Sequence, residues 1–316
     1  TIQEIPLTKR IGLSATPLRA FDDDSNDEMN VFFNDKPPYV VSFSMEKALE
    51  IGWLCNYKYY PHIVPLTEEE QGDYYALTKQ IAVKSSEKQT RKIKEEIQRL
   101  LLLRKNIINK AENKINVFRQ IIKTLNFSKD GLKYLLVYTP EGYVDLSKVD
   151  IYMDSEEDLR LINKFTQVIT EENNEIFVSK FTSETKHRES TLRKFESGEI
   201  NVLTSMKCLD EGIDVPRSQI AIFCSSTGNP RQFIQRRGRV LRQHKDKRVA
   251  IIHDLIVVPS LAFPDLNAQQ INTNKSLLKS ELSRVVDFST LALNSLHTEE
   301  VLADTLNYYD LNLYHE

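Results

Sequence analysis

Residues 201–243 have the sequence NVLTSMKCLDEGIDVPRSQIAIFCSSTGNPRQFIQRRGRVLRQ. Two apolar runs within it, Asn201–Met206 and Gln219–Cys224, predict β-strands, and Arg231–Gln243 predicts a helix. The same alternation extends to either side. It predicts further strands at Lys133–Thr139, Val149–Met153, Glu175–Ser179 and Arg248–His253, and further helices at Ser155–Glu172 and Glu184–Ser197. Strands that alternate with helices predict an α/β fold with a doubly wound, mostly parallel sheet.

Two other regions have helical periodicity instead. Residues 73–130 contain neither Gly nor Pro, and apolar residues recur there at spacings of three and four. This pattern predicts one helix near 68–84 and a long or broken helix near 88–126, with a joint at Lys84–Thr90. The pair is either a packed helical hairpin or an arm that faces nucleic acid or spans domains. Residues 275–310 return to helical spacing.

Composition limits the class of protein. The chain has 316 residues, which at about 150 residues per domain predicts two domains. With 41% hydrophobic and 28% charged residues, it is typical of a soluble globular protein. The net charge is −3, so any basic surface for nucleic acid must be local.

The cysteines and the N-terminal residues indicate the cellular compartment in which the protein is expected. Three cysteines without a CxxC pair favour neither a disulfide framework nor a zinc ribbon, and so predict a reduced, cytoplasmic protein. Neither a signal peptide nor an apolar run long enough to cross a membrane is found in the sequence. Because the first residue is Thr1, we expect a fragment of a longer protein.

The nine glycines exclude two nucleotide-binding motifs from this chain. The two closest glycines, Gly228 and Gly238, are ten residues apart, so neither a GxG nor a GxxxxG pattern occurs. The dinucleotide fingerprint and the phosphate loop both need such closely spaced glycines. The six histidines are scattered, and no metal cluster is predicted.

The most informative segment is Gln232–Arg242, QFIQRRGRVLR. Counting Arg231, five arginines fall within twelve residues. On a helix, Arg239 and Arg242 are expected to share a face, with Arg236 one turn before Arg239. Guanidinium groups suit phosphate oxygens, so the segment predicts a helix whose arginines bind an anion. The alternative is that these arginines form a solvated basic helix end.

Three segments, in this order, resemble motifs III, V and VI of superfamily 2 helicases and translocases. They are LSATP at 13–17, GIDVP at 212–216 and QRRGRVLR at 235–242. ALEIGWL at 48–54 and DLIV at 254–257 are similar to the DNA repair and restriction branch of that superfamily.

This resemblance implies a RecA-like sheet with a long helical insertion and a helical C-terminal tail. In this superfamily ATP with Mg²⁺ lies between two RecA-like domains, and the N-terminal one supplies the phosphate loop and the metal-binding acidic motif. The implied regions are the end of the first RecA-like domain with motif III and the crossover at 1–64, the insertion at 65–130, the second RecA-like domain at 131–258 and the tail at 259–316.

The resemblance also implies residue roles. It places Gln235 at the γ-phosphate and makes Arg239 and Arg242 arginine fingers. Gly212 and Asp214 of motif V would meet the ribose or couple the two sites. Arg236 matches a nucleotide-site position that often forms structural or interdomain ion pairs.

The remaining implied positions would couple ATP state to nucleic-acid grip. Ser14 and Thr16 match the motif III hydroxyls. Motif V has Met206 where Thr is common, so the phosphate contact falls among three polar neighbours: Thr204, Ser205 and Lys207.

Two loops leave alternatives open. Thr182 or Ser183 is predicted to cap the helix that follows, and a helix N-terminus there would also bind a backbone phosphate. The acidic run at 22–28 resembles a calcium loop but lacks its turn glycine and closing Glu, so a solvated loop is predicted.

The function predicted is the C-terminal motor portion of an ATP-dependent helicase or translocase that acts on DNA, with RNA as an open alternative. Membrane is not an expected partner. The rival predictions are a catalytically silent nucleic-acid-binding scaffold and a protein-interaction module that docks a partner through residues 68–126.

Overall fold

The computed structural model describes residues 9–14, 17, 23–88, 90–128, 131–140, 156–206, 215–225, 230–263 and 266–314. Its centre is a six-stranded sheet in the order β1-β6-β5-β2-β4-β3, and every neighbouring pair is parallel. The strands are β1 Asn56–Pro65, β2 Leu135–Tyr138, β3 Val178–Phe181, β4 Val202–Ser205, β5 Ile220–Phe223 and β6 Val249–Val258.

Helices cover both faces of this sheet. They are α1 Asp23–Phe33, α2 Met45–Glu50, α3 Glu68–Ser86, α4 Arg91–Lys110, α5 Asn113–Asn126, α6 Glu156–Glu172, α7 Arg188–Ser197, α8 Pro230–Val240, α9 Ala268–Ser289 and α10 Ser295–Tyr308. One core contains Phe118 of α5 and Phe165 of α6; the other contains Phe195, Phe233 and Phe288 of α7, α8 and α9. The predicted doubly wound parallel sheet is confirmed.

The short central strands form because most of their residues are apolar, so that both faces of each strand can be buried. Every residue of β2, β4 and β5 is buried, including the polar Thr204 and Ser205. A parallel strand covered on both faces has a continuous apolar run rather than an alternating one. This is why these three strands could be predicted closely.

The edge strand β1 was not predicted. It pairs with β6 along its whole length, from Asn56 opposite Val249 to Pro65 opposite Val258. Tyr57 and Tyr59 are fully buried, whereas Asn56 and Lys58 are exposed. Polar residues and tyrosines alternate here, as expected for an edge strand. Residues 56–64, predicted to belong to the crossover, therefore lie in the sheet.

The helical insertion follows its prediction closely. α3 ends at Ser86 and α4 begins at Arg91, so the joint predicted at Lys84–Thr90 is confirmed. Thr67 and Thr90 each accept a bond from the backbone three residues on, and so cap α3 and α4. The predicted long helix is broken at Ala111, after which α5 begins. α3 and α4 pack against each other as a hairpin.

Other expectations differ from the structure at the ends of elements. The solvated loop predicted for the acidic run is wrong from Asp23 onward. Those residues form the first turns of α1, which continues through Met29, Val31 and Phe32 and ends at Phe33. β3 begins at Val178, three residues after the predicted Glu175. The strand predicted at 149–153 lies outside the described residues. Within the described ranges, no helix is long and apolar enough to cross a membrane.

A buried ionic cluster joins the tail to the sheet. Asp254 of β6 is fully buried and lies 3.0 Å from the guanidinium of Arg284 on α9. Glu281 lies 3.1 Å from the same guanidinium, and the Tyr59 hydroxyl donates to Asp254 at 2.9 Å. Burial raises the pKa of Asp254, and Arg284 opposes that rise. The cluster fixes α9 against β6 and β1.

We expect Arg284→Met to destabilise the chain by about 3–5 kcal/mol, because it leaves the buried carboxylate of Asp254 without its cation. Urea unfolding followed by circular dichroism measures this. The control is Arg91→Met, which removes an exposed ion pair with Glu95 and should leave the unfolding midpoint unchanged. Equal effects of the two substitutions would contradict the role of the cluster.

A second prediction concerns two histidines on neighbouring strands. His62 Nε2 and His253 Nδ1 are 2.9 Å apart. Burial, followed by the neighbouring imidazole, lowers the pKa of His253 to about 3, and burial with His297 lowers that of His62 to about 4. Unfolded histidines therefore take up protons at a higher pH than folded ones. Folding stability is lost as pH falls below about 6.5.

By about pH 5 the loss should reach about 2 kcal/mol for each of these two groups. The double substitution His62→Gln, His253→Gln should flatten that part of the stability curve relative to the unsubstituted chain. Parallel curves between pH 7 and pH 5 would contradict the prediction.

Candidate functional site

The basic segment forms helix α8 beside the carboxyl end of β5. Pro230 opens the helix, a position where its missing N–H is not needed. Phe233 and Val240 are buried in the core and hold the helix against the sheet. The alternative of a solvated helix end therefore does not describe α8, because four of its side chains near the C-terminus are buried: Arg236, Arg237, Arg239 and Val240.

Arg236 lies inside the domain, at the carboxyl ends of three strands. Only 1% of its surface is exposed. Its guanidinium donates to the Ser225 hydroxyl at 2.7 Å and to the Met206 carbonyl at 3.3 Å, and lies 5.1 Å from the centre of the Tyr138 ring. These contacts fit the structural alternative that the resemblance implied. A contact between Arg236 and ATP stays a prediction.

Arg239 and Arg242 do not share a face of one helix, and that expectation is wrong. α8 ends at Val240, and Arg242 pairs with Leu54 in an antiparallel bridge. The backbone amide of Cys55 donates to the Leu241 carbonyl at 2.8 Å, which prevents the helix from continuing. Arg239 is 9% exposed and Arg242 is exposed. Gln235, one turn before Arg239, is half-buried.

Lys247 joins the end of α8 to the last residue of motif V and to the segment that follows it. Its ammonium donates to the carbonyls of Val240, Ser218 and Pro216 at 2.9, 3.0 and 2.8 Å. An ammonium has three donors, and all three are used. Lys247 is 4% exposed, and burial lowers its pKa. The pattern analysis missed this residue, since a lysine among basic residues carries no sign of burial.

The predicted cap at Thr182 or Ser183 is wrong. α7 begins at Arg188, after His187 in the left-handed region with φ +57°. The Thr182 amide instead donates to the Thr185 hydroxyl at 2.8 Å. Arg188 donates to the carbonyls of Thr182 and Ser183 at 3.0 and 3.2 Å, and these bonds stabilise a turn rather than a helix start. A phosphate contact by either residue stays a prediction.

The motif V polar residues that the structure describes are covered. Thr204 is fully buried on β4, with its hydroxyl 3.0 Å from that of Thr166 on α6. Ser205 is also fully buried, and its hydroxyl has no hydrogen-bond partner among the described residues. Contact of either with nucleic acid stays a prediction.

The remaining predicted positions are at or beyond the limits of the described structure. Ser14 is exposed, in the segment 9–14. Four predicted residues lie outside the described residues: Thr16, Lys207, Gly212 and Asp214. Among the residues that are described, no three His, Cys, Asp or Glu side chains are grouped to hold a metal ion.

Part of the chain matches a known family. Residues 148–244 match the family described as helicase conserved C-terminal domain. The match includes β3, β4, β5 and α8. The prediction of a helicase C-terminal domain is confirmed for this segment.

Individual relatives match over different lengths. The DNA 3'-5' translocase XPB2 of Sulfurisphaera tokodaii is 29% identical over 260 residues, which are 77% of this chain and 52% of that protein. The ATP-dependent DNA helicase mph1 of Sclerotinia sclerotiorum is 31% identical over 110 residues, which are 32% of this chain and 8% of that protein. The chain thus spans about half of the first relative and a small part of the second.

A solved structure also aligns with this one. It is the Sulfolobus solfataricus SWI2/SNF2 ATPase core in complex with double-stranded DNA, with 19% sequence identity and a TM-score of 0.47. The alignment covers 91% of this chain and 57% of that one.

We expect Lys247→Met to destabilise the chain by about 2–4 kcal/mol, because three buried carbonyls lose their donor at once. Thermal unfolding measures the effect. Lys245→Met, two residues away on the exposed side of the same loop, is the control and should have no effect. A stable Lys247→Met protein would mean that water replaces the ammonium.

Proposed function

We propose that this chain is the C-terminal motor portion of an ATP-dependent DNA helicase or translocase. The observation that carries the proposal is that α8, within the matched helicase C-terminal domain, holds Gln235 and Arg239 one helical turn apart on a helix anchored in the core. The names of the two relatives support DNA as the substrate. The order of motifs III, V and VI supports the same class.

In this proposal Gln235, Arg239 and Arg242 contact the phosphates of ATP that is bound between this domain and an N-terminal RecA-like domain. The donors of Gln235 and of the two guanidiniums fit a phosphate group. The N-terminal domain supplies the phosphate loop and the Mg²⁺ ligands, in agreement with the absence of a GxxxxG pattern from this sequence.

The proposed chemistry needs little more than position and charge. Phosphoryl transfer is accelerated mainly by placing donors where negative charge develops, and an arginine finger contributes about 10³–10⁵ in rate. Because these arginines belong to a separate domain, hydrolysis would depend on closure of the cleft. Arg242, which is exposed, can reach a facing domain directly, whereas Arg239 would require a small rearrangement at the end of α8.

The proposed DNA contacts are to the strand backbone and not to base edges. Ser14 and Thr16 would link ATP state to grip, while Gly212 and Asp214 would link motif V to the nucleotide. The backbone contacts would come from Thr182, Ser183 and Lys207, while Thr204 and Ser205, which are fully buried, would take part only if the end of β4 opened. Binding of this kind weakens as salt rises and is indifferent to sequence.

The experiment is ATP hydrolysis by the intact parent protein, with and without DNA, for the unsubstituted enzyme and for Arg239→Ala, Arg242→Ala and Gln235→Ala. We expect DNA-stimulated turnover that falls by about 10³-fold or more when either arginine is lost. The 316-residue chain alone should hydrolyse ATP at no appreciable rate.

The matched control is Arg248→Ala, which removes an exposed arginine outside the motif and should leave turnover unchanged. Turnover indifferent to Arg239 and Arg242, or absent from the parent, would favour the silent scaffold instead. Stimulation by RNA and not by DNA would correct the substrate alone.

A further inference from the structure

The helicase motif contains one arginine, Arg237, to which neither the resemblance nor the proposed chemistry assigns a role. Arg237 is 3% exposed, and its guanidinium lies 2.9 Å from the carboxylate of Asp287 near the end of α9. It also donates to the Asp287 backbone carbonyl and lies 4.9 Å from the centre of the Phe288 ring. One side chain of α8 therefore makes three different contacts with two consecutive residues of the tail.

The end of α9 is itself firmly held. Phe288 is fully buried, with its ring 5.3, 5.5 and 5.8 Å from those of Tyr59, Phe223 and Phe233. The Tyr57 hydroxyl donates to the Phe288 carbonyl at 2.7 Å. One turn earlier, Arg284 binds Asp254 of the sheet. Asp287 therefore lies at a helix end that is fixed to the core, and Arg237 connects α8 to this end of α9.

Arg237 lies on the opposite side of α8 from Gln235 and Arg239. Gln235 and Arg239 are four residues apart and lie on one side of α8. Arg237 lies two residues from each, which on a helix of 3.6 residues per turn is about 200° around the axis. A bond from the opposite side of a helix fixes its rotation about its own axis. That rotation decides where Gln235 and Arg239 point.

We propose that Arg237 and Asp287 are positioning residues, through which tail helix α9 sets the orientation of Gln235 and Arg239 for ATP hydrolysis. This inference rests on the proposed function. It also extends the motor beyond the segment that matches the helicase family, since α9 begins at Ala268 and the match ends at 244.

The pair is suited to positioning more than to holding the fold. The side chain of Asp287 is 38% exposed, so water can replace part of what it loses. The fold around it rests on Phe288, on Tyr57 and on the cluster of Arg284 with Asp254. Removing the charge of Asp287 should therefore loosen the rotation of α8 without unfolding the chain.

The experiment uses the intact parent protein and compares Asp287→Asn with Asp287→Glu. We expect Asp287→Asn to lower the DNA-stimulated kcat by about tenfold, with the KM for ATP changed less than about twofold, because misplaced donors cost most in the transition state. Asp287→Glu, which keeps the carboxylate, should recover most of the rate. Asp304→Asn, an exposed acid on α10, is the control.

Thermal unfolding and hydrogen exchange of the α8 amides accompany the kinetics. We expect Asp287→Asn to speed exchange in α8 while the melting temperature stays within about 3 °C of the unsubstituted value. A lower kcat together with a melting temperature lowered by more than about 3 °C would indicate a purely structural role and overturn the inference.

Two outcomes separate this inference from the proposed function. An unsubstituted enzyme that hydrolyses ATP, beside an equally active Asp287→Asn variant, overturns the positioning role and leaves the proposed function standing. An unsubstituted parent without ATP turnover overturns the proposed function and, with it, the role of the pair. Equal losses in the Asn and Glu variants would also overturn the inference, because the carboxylate would then not be what holds α8.

Discussion

Much of this structure follows from one constraint, which is that a cation removed from water must find acceptors inside the protein. Three cations at or near α8 meet this constraint in three ways. Arg236 uses a serine hydroxyl and a carbonyl at the ends of strands, and Arg237 uses the carboxylate of Asp287. Lys247 uses three carbonyls. Each solution joins α8 to a different part of the domain.

These connections make the basic helix a rigid element. Arg236 binds it to Met206 and Ser225, which follow β4 and β5, and Lys247 binds its C-terminus to Pro216 and Ser218. Arg237 binds it to the tail. In the proposed function such support matters, because a small misplacement of a donor relative to a phosphate costs a large factor in rate. In that proposal, the arginines of one motif divide between support and chemistry.

Helix α9 of the tail is fixed both to the sheet and to α8. α9 reaches the sheet through the buried pair of Arg284 and Asp254, and reaches α8 through Asp287. Breaking a buried ion pair at one partner is expensive, so α9 cannot readily leave the sheet. The aromatic contacts of Phe288 add apolar burial at the point where α8, α9 and β1 meet. A helix outside the family match is therefore integral to the domain.

The sequence by itself determined the alternation of strands and helices, the parallel sheet and the order of the motifs. Each depends on neighbouring residues, as in the apolar run of β5 or the glycine-free periodicity of α4 and α5. Only the tertiary structure decided that β1 joins the sheet, that α8 ends before Arg242 and that Thr182 caps no helix. It also decided which arginines are covered. Two of the partners responsible, Cys55 for Leu241 and Asp287 for Arg237, lie 50 or more residues away in the chain, where no local pattern can identify them.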